Sequence, residues 1–89
     1  MSRHGPMKRV QWIGDITRAE LAKHNKPDDC WCSYEGEVFD MTQFLGRHPG
    51  GKKIILECAG NDMTELYKQH HAYLSINFIK GLKIGRLVY

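Results

Sequence analysis

Apolar positions recur along this chain at two spacings, and the places where the spacing changes divide it into short elements. Ile16 and Leu21 bracket Thr17-Arg18-Ala19-Glu20, a capping box in which Thr17 and Glu20 can satisfy each other's free N–H groups while Ile16 staples against Leu21. A short helix is predicted from Arg18 to about His24, ended by the turn residues Asn25-Lys26-Pro27-Asp28-Asp29. His24 then falls at a helix end, close to the carbonyl dipole, and reads as a structural residue. Cys30-Trp31-Cys32-Ser33-Tyr34 and Glu37-Val38-Phe39-Asp40 flank Glu35-Gly36, which predicts a β-hairpin whose turn exploits positive φ at glycine. Thr42 is placed to cap one helical turn through Leu45, carrying Phe44 into the core. Lys52 to Ala59 reads as the next helix, with Ile54, Ile55 and Cys58 in one stripe and Gly60 as a left-handed cap. Asp62-Met63-Thr64-Glu65 repeats the capping-box pattern, with an aspartate, ahead of a helix containing Leu66, Tyr67, His70 and His71. Ser75 is placed to cap a helix from Ile76 to Lys80 closed by Gly81, and the alternation from Leu82 to Leu87 predicts a final strand.

Short helices and strands thus mix without a βαβ rhythm, and the predicted fold class is α+β. Residues 1–14 are expected to be a flexible tail, since Met1 to Lys8 shows no periodicity, and 15–89 a single domain. A chain of 89 residues buries only about 60% of its unfolded surface, so a metal, cofactor or disulfides often support such a domain. The hydrophobic fraction of 42% and charged fraction of 26% are those of a soluble globular protein. No apolar run approaches the roughly 18 residues that cross a membrane, and the amino terminus lacks a signal-peptide core. The expectation is a soluble, cytoplasmic, monomeric protein, or a soluble piece of a longer one.

Charge and cysteines narrow the chemistry. The net charge of +3 is mild and the basic residues are scattered, so Lys52-Lys53 reads as a solvated helix face and no nucleic-acid partner is expected. Cys30, Cys32 and Cys58 are an odd count in no standard framework, and Cys-Trp-Cys is neither a redox Cys-x-x-Cys nor a haem-attachment Cys-x-x-Cys-His. Reduced thiols are expected, with packing in the core as the role of at least one of Cys30 and Cys32.

One stretch remains, Phe44-Leu45-Gly46-Arg47-His48-Pro49-Gly50-Gly51. Proline pushes His48 out of helical geometry and leaves its ring projecting, and two glycines remove side chains where a large flat ligand needs the backbone close. His-Pro-Gly-Gly alone reads equally well as a metal-ligand turn or as a plain surface turn. If the helices on either side of Gly60-Asn61 run antiparallel, His48 and the His70-His71 end meet at one side of a cleft walled by Phe44, Ile54, Ile55, Leu66, Tyr67 and Phe78. Apolar walls with imidazoles facing each other describe a haem site better than a zinc site, which wants four close nitrogen or sulfur ligands and no large cavity.

His48-Pro49-Gly50-Gly51, together with Trp31, Val38-Phe39-Asp40, Phe44, Ala59-Gly60, Asp62-x-Thr64 and a histidine some two dozen positions after the first, resembles the cytochrome b5 haem-binding domain over roughly Ile16 to Leu87. Lys23-His24-Asn25-Lys26-x-Asp28-Asp29-Cys30-Trp31 and Ile84-Gly85-Arg86 most resemble the b5-like domain of fused NAD(P)H cytochrome b5 oxidoreductases. The resemblance implies a non-covalent haem b whose iron takes two axial histidines, the first His48. For the second, helical periodicity favours His70 and the resemblance favours His71, four residues after the aromatic Tyr67; His71 is the residue chosen, with His70 at the pocket edge. The implied site is Phe44, His48, Ile54, Ile55, Tyr67, His70, His71 and Phe78. Ala72 stands where many relatives carry a serine for a haem propionate, and Arg47, Lys52 and Lys53 stand near a usually acidic docking rim, so the partner's charge pattern can differ.

With both axial positions filled, the expected role is one-electron transfer and not enzymatic catalysis, with a flavin-containing NAD(P)H reductase, fused or separate, as donor and another protein as acceptor. The rival readings are a b5-fold adaptor associated with haem or sterol, and a Cys-His hydrolase. The hydrolase is disfavoured because Cys58 falls on a core stripe and no oxyanion loop is visible.

Overall fold

A computed structural model describes residues 10–47, 52–70 and 76–89. Five strands form one mixed sheet in the order β1-β5-β4-β3-β2. They are β1 (Gly14–Thr17), β2 (Asn25–Lys26), β3 (Asp29–Tyr34), β4 (Glu37–Asp40) and β5 (Lys83–Val88). The edge strand β1 runs parallel to β5, and the other neighbours are antiparallel. The helices are α1 (Arg18–Ala22), α2 (Lys52–Leu56) and α3 (Thr64–His70), with 3₁₀ segments at Thr42–Arg47 and Ile76–Leu82. The α+β expectation therefore holds.

The sheet separates two cores because β3 is buried on both faces. Cys30 and Cys32, with Tyr34 against them, join a large cluster containing Phe39, Met41, Phe44, Leu45, Ile55, Cys58, Ala59, Met63, Ile79 and Leu82. Trp31 points the other way, as period-two alternation requires, into a smaller cluster with Ile16, Leu21, Val38, Ile84 and Leu87. The two cores explain why successive residues of β3, Cys30 to Ser33, are all buried rather than alternately exposed.

Several elements match the expectations in detail. Thr17 Oγ1 accepts the Glu20 N–H at 3.1 Å, and Ile16 and Leu21 share the smaller core. The Glu35–Gly36 turn has φ of 48° and 83°. Two successive positive values define the turn whose twist suits a two-residue hairpin.

Others are corrected. The side-chain acceptor at the start of the 3₁₀ segment is Asp40, not Thr42: Asp40 Oδ1 accepts both the Thr42 N–H at 3.1 Å and its hydroxyl at 2.7 Å. Likewise Asp62 Oδ1 receives the N–H of Thr64 at 3.0 Å, one residue short of the Glu65 that a capping box requires. Helix α2 ends at Leu56, after which the chain tightens into i→i−3 bonds, Cys58 N–H to Ile55 O and Ala59 N–H to Leu56 O. The segment expected as a helix from Ile76 to Lys80 is 3₁₀ through Leu82 and kinks at Ile79, so Gly81 lies inside it and does not close it. Strands β1 and β2 were not expected, and β2 lies in a stretch read as turn. Residues 10–13, expected within the tail, are tied to the sheet: Ile13 N–H donates to Ile84 O at 2.6 Å, and Val10 packs against both cores. The tail residues 1–9 lie outside the described residues.

Candidate haem site

The large core gathers the elements on which the candidate site residues lie. Phe44 and Leu45 enter it from the first 3₁₀ segment, Ile55 from α2, and Met63, Leu66 and Tyr67 from the start and body of α3. Phe44 and Ile55 are buried, and Tyr67 is half-buried. Tyr67 meets Tyr34 of β3 edge to face, with ring centroids 5.2 Å apart at 73°. Burial, and secondarily the Tyr34 hydroxyl, hold the Tyr67 phenol above its ordinary pKa, so it stays a neutral wall residue. Helix α2 begins at Lys52, directly after Gly51, as the Pro-Gly-Gly turn implied, and α3 ends at His70. His48 and His71 lie outside the described residues, as do the side chains of Ile54, His70 and Phe78.

Strand β3 holds both approaches to the site by the same device used twice. In Asp40-Met41-Thr42, the Met41 N–H donates to Cys30 O at 2.7 Å and Thr42 Oγ1 accepts the Cys30 N–H at 2.9 Å. In Asp62-Met63-Thr64, the Met63 N–H donates to Ser33 O at 2.7 Å and Thr64 Oγ1 accepts the Glu35 N–H at 2.8 Å. Each hydroxyl, having accepted from the strand, donates to its aspartate, at 2.7 and 2.6 Å. One end of β3 is thereby fixed to the segment leading toward His48 and the other to the helix leading toward His71. Replacing Thr42 by valine leaves the β3 N–H of Cys30 without its acceptor and is expected to cost about 1–3 kcal/mol, whereas replacing Thr64 frees the Glu35 N–H of an exposed turn, which water can satisfy, and should cost less. Urea unfolding of each variant measures it.

The second 3₁₀ segment contributes Ile79 and Leu82 to this core, and neither was singled out as a site residue. The signal available was the apolar character of Ile79 and Leu82 three residues apart, the spacing of a 3₁₀ turn. The thiols of Cys30, Cys32 and Cys58 are free and buried in the same cluster. The hydrogen bond with Cys30, together with burial, pushes the Cys32 thiol far up, and burial raises Cys58. Cys32 and Cys58 are therefore inert packing groups, while the same hydrogen bond from Cys32 lowers Cys30 within the buried pair.

The described residues suit a porphyrin in chemistry, because bulky apolar side chains from three elements converge in one core. In addition, no described helix is long and apolar enough to cross a membrane.

Comparison with known proteins agrees with this geometry. The family described as "Cytochrome b5-like Heme/Steroid binding domain" matches residues 17–88. The chain is 53% identical over 57 residues to L-lactate dehydrogenase (cytochrome) of Saccharomyces cerevisiae, a match covering 64% of this chain and 10% of that protein. It is 39% identical over 74 residues to cytochrome b5 reductase 4 of Xenopus tropicalis, covering 82% of this chain and 14% of that protein. The chain thus spans only a small part of these relatives. Among solved structures, Ectothiorhodospira vacuolata cytochrome b558, described as a prokaryotic homologue of cytochrome b5, superposes with a TM-score of 0.73 at 30% identity, covering 82% of this chain and 96% of that one. With one sheet between two cores, and a family match that runs from the α1 cap to the last strand, this chain belongs to the cytochrome b5-like haem-binding domain family.

Proposed function

We propose that this domain carries single electrons on a non-covalent haem b whose iron is held by His48 on one face and His71 on the other. The observation that carries the reading is the convergence of Phe44, Ile55, Leu66 and Tyr67 in one core, on the elements that immediately precede or follow the two histidines in sequence. In this reading Ile54 and Phe78 complete the walls, and His70 lies at the pocket edge, where it tunes solvent access. When bound, haem supplies a reversible one-electron couple between Fe(III) and Fe(II). The protein supplies two neutral imidazoles, which leave no coordination position for oxygen or substrate, and an apolar wall that excludes water from the porphyrin faces. The domain is then an electron carrier and not itself an enzyme. We assign it a flavin-containing NAD(P)H reductase, fused or separate, as donor, and an acceptor protein in the cytoplasm.

The relatives support the reading in kind: one is named a reductase and another a cytochrome-type dehydrogenase, each many times longer than the matched segment. The test is an absorption spectrum of the purified protein, oxidised and then reduced with dithionite. A Soret band and a sharp, split visible band on reduction are expected, and they should be unchanged under carbon monoxide. A colourless protein from haem-replete cells, or a ferrous form that takes up carbon monoxide readily, overturns the proposal.

A further inference from the structure

Away from the haem core, the ring of His24 is held on three sides. It stacks flat on Trp31, with centroids 3.4 Å apart and an interplanar angle of 6°. Its Nδ1 lies 2.7 Å from Asp29 Oδ1 and its Nε2 lies 2.8 Å from Glu20 Oε2. A neutral imidazole carries one N–H and can donate to only one of two carboxylates, and an ionised carboxylate only accepts. Both contacts are satisfied together only by the imidazolium, which also suits a cation lying on an indole face.

The clamp connects to the haem side of the domain through backbone. Trp31 N–H donates to His24 O at 2.9 Å, and Trp31 O accepts the Gly60 N–H at 2.7 Å. Gly60 lies in the turn between α2 and α3, at φ 75°, against the chain on either side of His24: a Cβ on it would stand 3.0 Å from Asn25 Cβ and 3.1 Å from Ala22 O. The residues that fix how α2 and α3 diverge therefore rest on the segment that His24 pins.

We propose that His24, doubly paired with Glu20 and Asp29 and stacked on Trp31, is a proton-dependent lock that holds the α2–α3 turn and, through it, the retention of haem. The coupling to haem rests on the function proposed above; the lock itself does not. The charged groups around the ring are Glu20 of α1, with Lys23 of the same helix end 3.6 Å from the Glu20 carboxylate, and Asp29 at the start of β3. Burial disfavours the charged ring, but the hydrogen bonds and charges of Asp29 and Glu20 together outweigh it and hold His24 above its ordinary value. Glu20 moves the opposite way, chiefly through its hydrogen bond to His24. Because the histidine is raised on folding, its stabilisation is complete below the unfolded value of about 6.5 and fades as pH climbs through the higher folded value.

The experiment follows the His24 C2–H resonance, apo-protein thermal melting, and haem transfer to apomyoglobin across about pH 6 to 9, a range that begins near the ordinary histidine value. Wild type, His24→Gln and Asp29→Asn are compared. The His24 midpoint is expected above the ordinary value and lower in Asp29→Asn. Wild-type melting should fall as pH rises and haem transfer should quicken a few-fold, as suits a partly exposed ion pair, while both profiles flatten in His24→Gln. A midpoint at or below the ordinary value, or a pH-independent apo melt in wild type, overturns the lock. A raised midpoint with the same haem-transfer profile in wild type and His24→Gln overturns the coupling. A chain that binds no haem defeats the haem-carrier reading while the resonance and the apo melt still decide the lock.

Discussion

Replacement of His48 or of His71 by alanine is expected to abolish the low-spin bis-imidazole spectrum and to lower haem affinity by more than the roughly 10- to 100-fold typical of an outer-shell partner of a metal ligand. The reason is coordination number. With one imidazole gone, the iron has a vacant face, and any haem retained by the apolar walls should become high-spin in the ferrous state and bind carbon monoxide. His70→Ala is the internal control: it should keep the spectrum and change haem exposure only slightly. The two histidines are adjacent, so the comparison is insensitive to local backbone damage. Loss of the spectrum in His70→Ala with its retention in His71→Ala would reverse the assignment, returning the second ligand to the residue that helical periodicity favours. Optical spectra of the three variants, oxidised, reduced and under carbon monoxide, make the measurement.

The second large effect is structural and lies on the opposite side of the sheet from Phe44 and Tyr67. Gly85→Ala is expected to destabilise the domain by about 3 kcal/mol or more, against roughly 5–15 kcal/mol for the whole stability of a domain. In β5, Gly85 pairs with Gly14 on one side and Val38 on the other. A Cβ there would overlap the Gly14 carbonyl oxygen and sit 2.8 Å from Ile16 Cδ1, inside the smaller core. Neither neighbour can yield cheaply: the first is backbone in the parallel pairing, and the second belongs to a side chain that is 2% exposed. Strand β1 must therefore pull away, exposing Ile16 and loosening the helix that Thr17 caps. Thermal melting should fall by about 12 °C or more, at the roughly 4–8 °C per kcal/mol of a domain this size. The haem spectrum of the folded fraction should be unchanged at low temperature, because none of the candidate haem residues is touched. A melting temperature within 2–3 °C of wild type, about the effect of a neutral surface substitution, would show that the close approach of β1 to β5 is not a constraint.

Local chemistry was the legible part of this chain. The Thr17 cap, the Glu35–Gly36 turn and the start of α2 after Pro-Gly-Gly depend on interactions within about four residues, and the structure carries each as expected. The family motif was equally legible, since it rests on residue identity and order. Features that depend on distant partners were not. Strand β1 has too few residues to show alternation and exists because β5, nearly seventy positions later, offers a parallel edge. Thr42 and Asp62 read as caps of their own segments, whereas the hydroxyls of Thr42 and Thr64, each held by its aspartate, accept N–H groups of β3 and of the turn that follows it. The segment expected as an α-helix from Ile76 is 3₁₀, and its Ile79 and Leu82, not singled out in the sequence, are buried in the large core.

The amino-acid sequence by itself determined most of the short elements, the apolar residues available to a cofactor cleft, and the His-Pro-Gly-Gly motif that carries the family resemblance, because hydrogen bonding over a few residues and the identity of side chains require no knowledge of the fold. Only the tertiary structure decided which of those residues meet. It directed Cys30, Cys32 and Tyr34 to one core and Trp31 to another, tied both approaches to the candidate site to the two ends of β3, and laid the His24 ring on Trp31 between two carboxylates. These contacts join residues brought together by strand pairing and by the closing of the sheet between two cores, and no spacing along the chain encodes them.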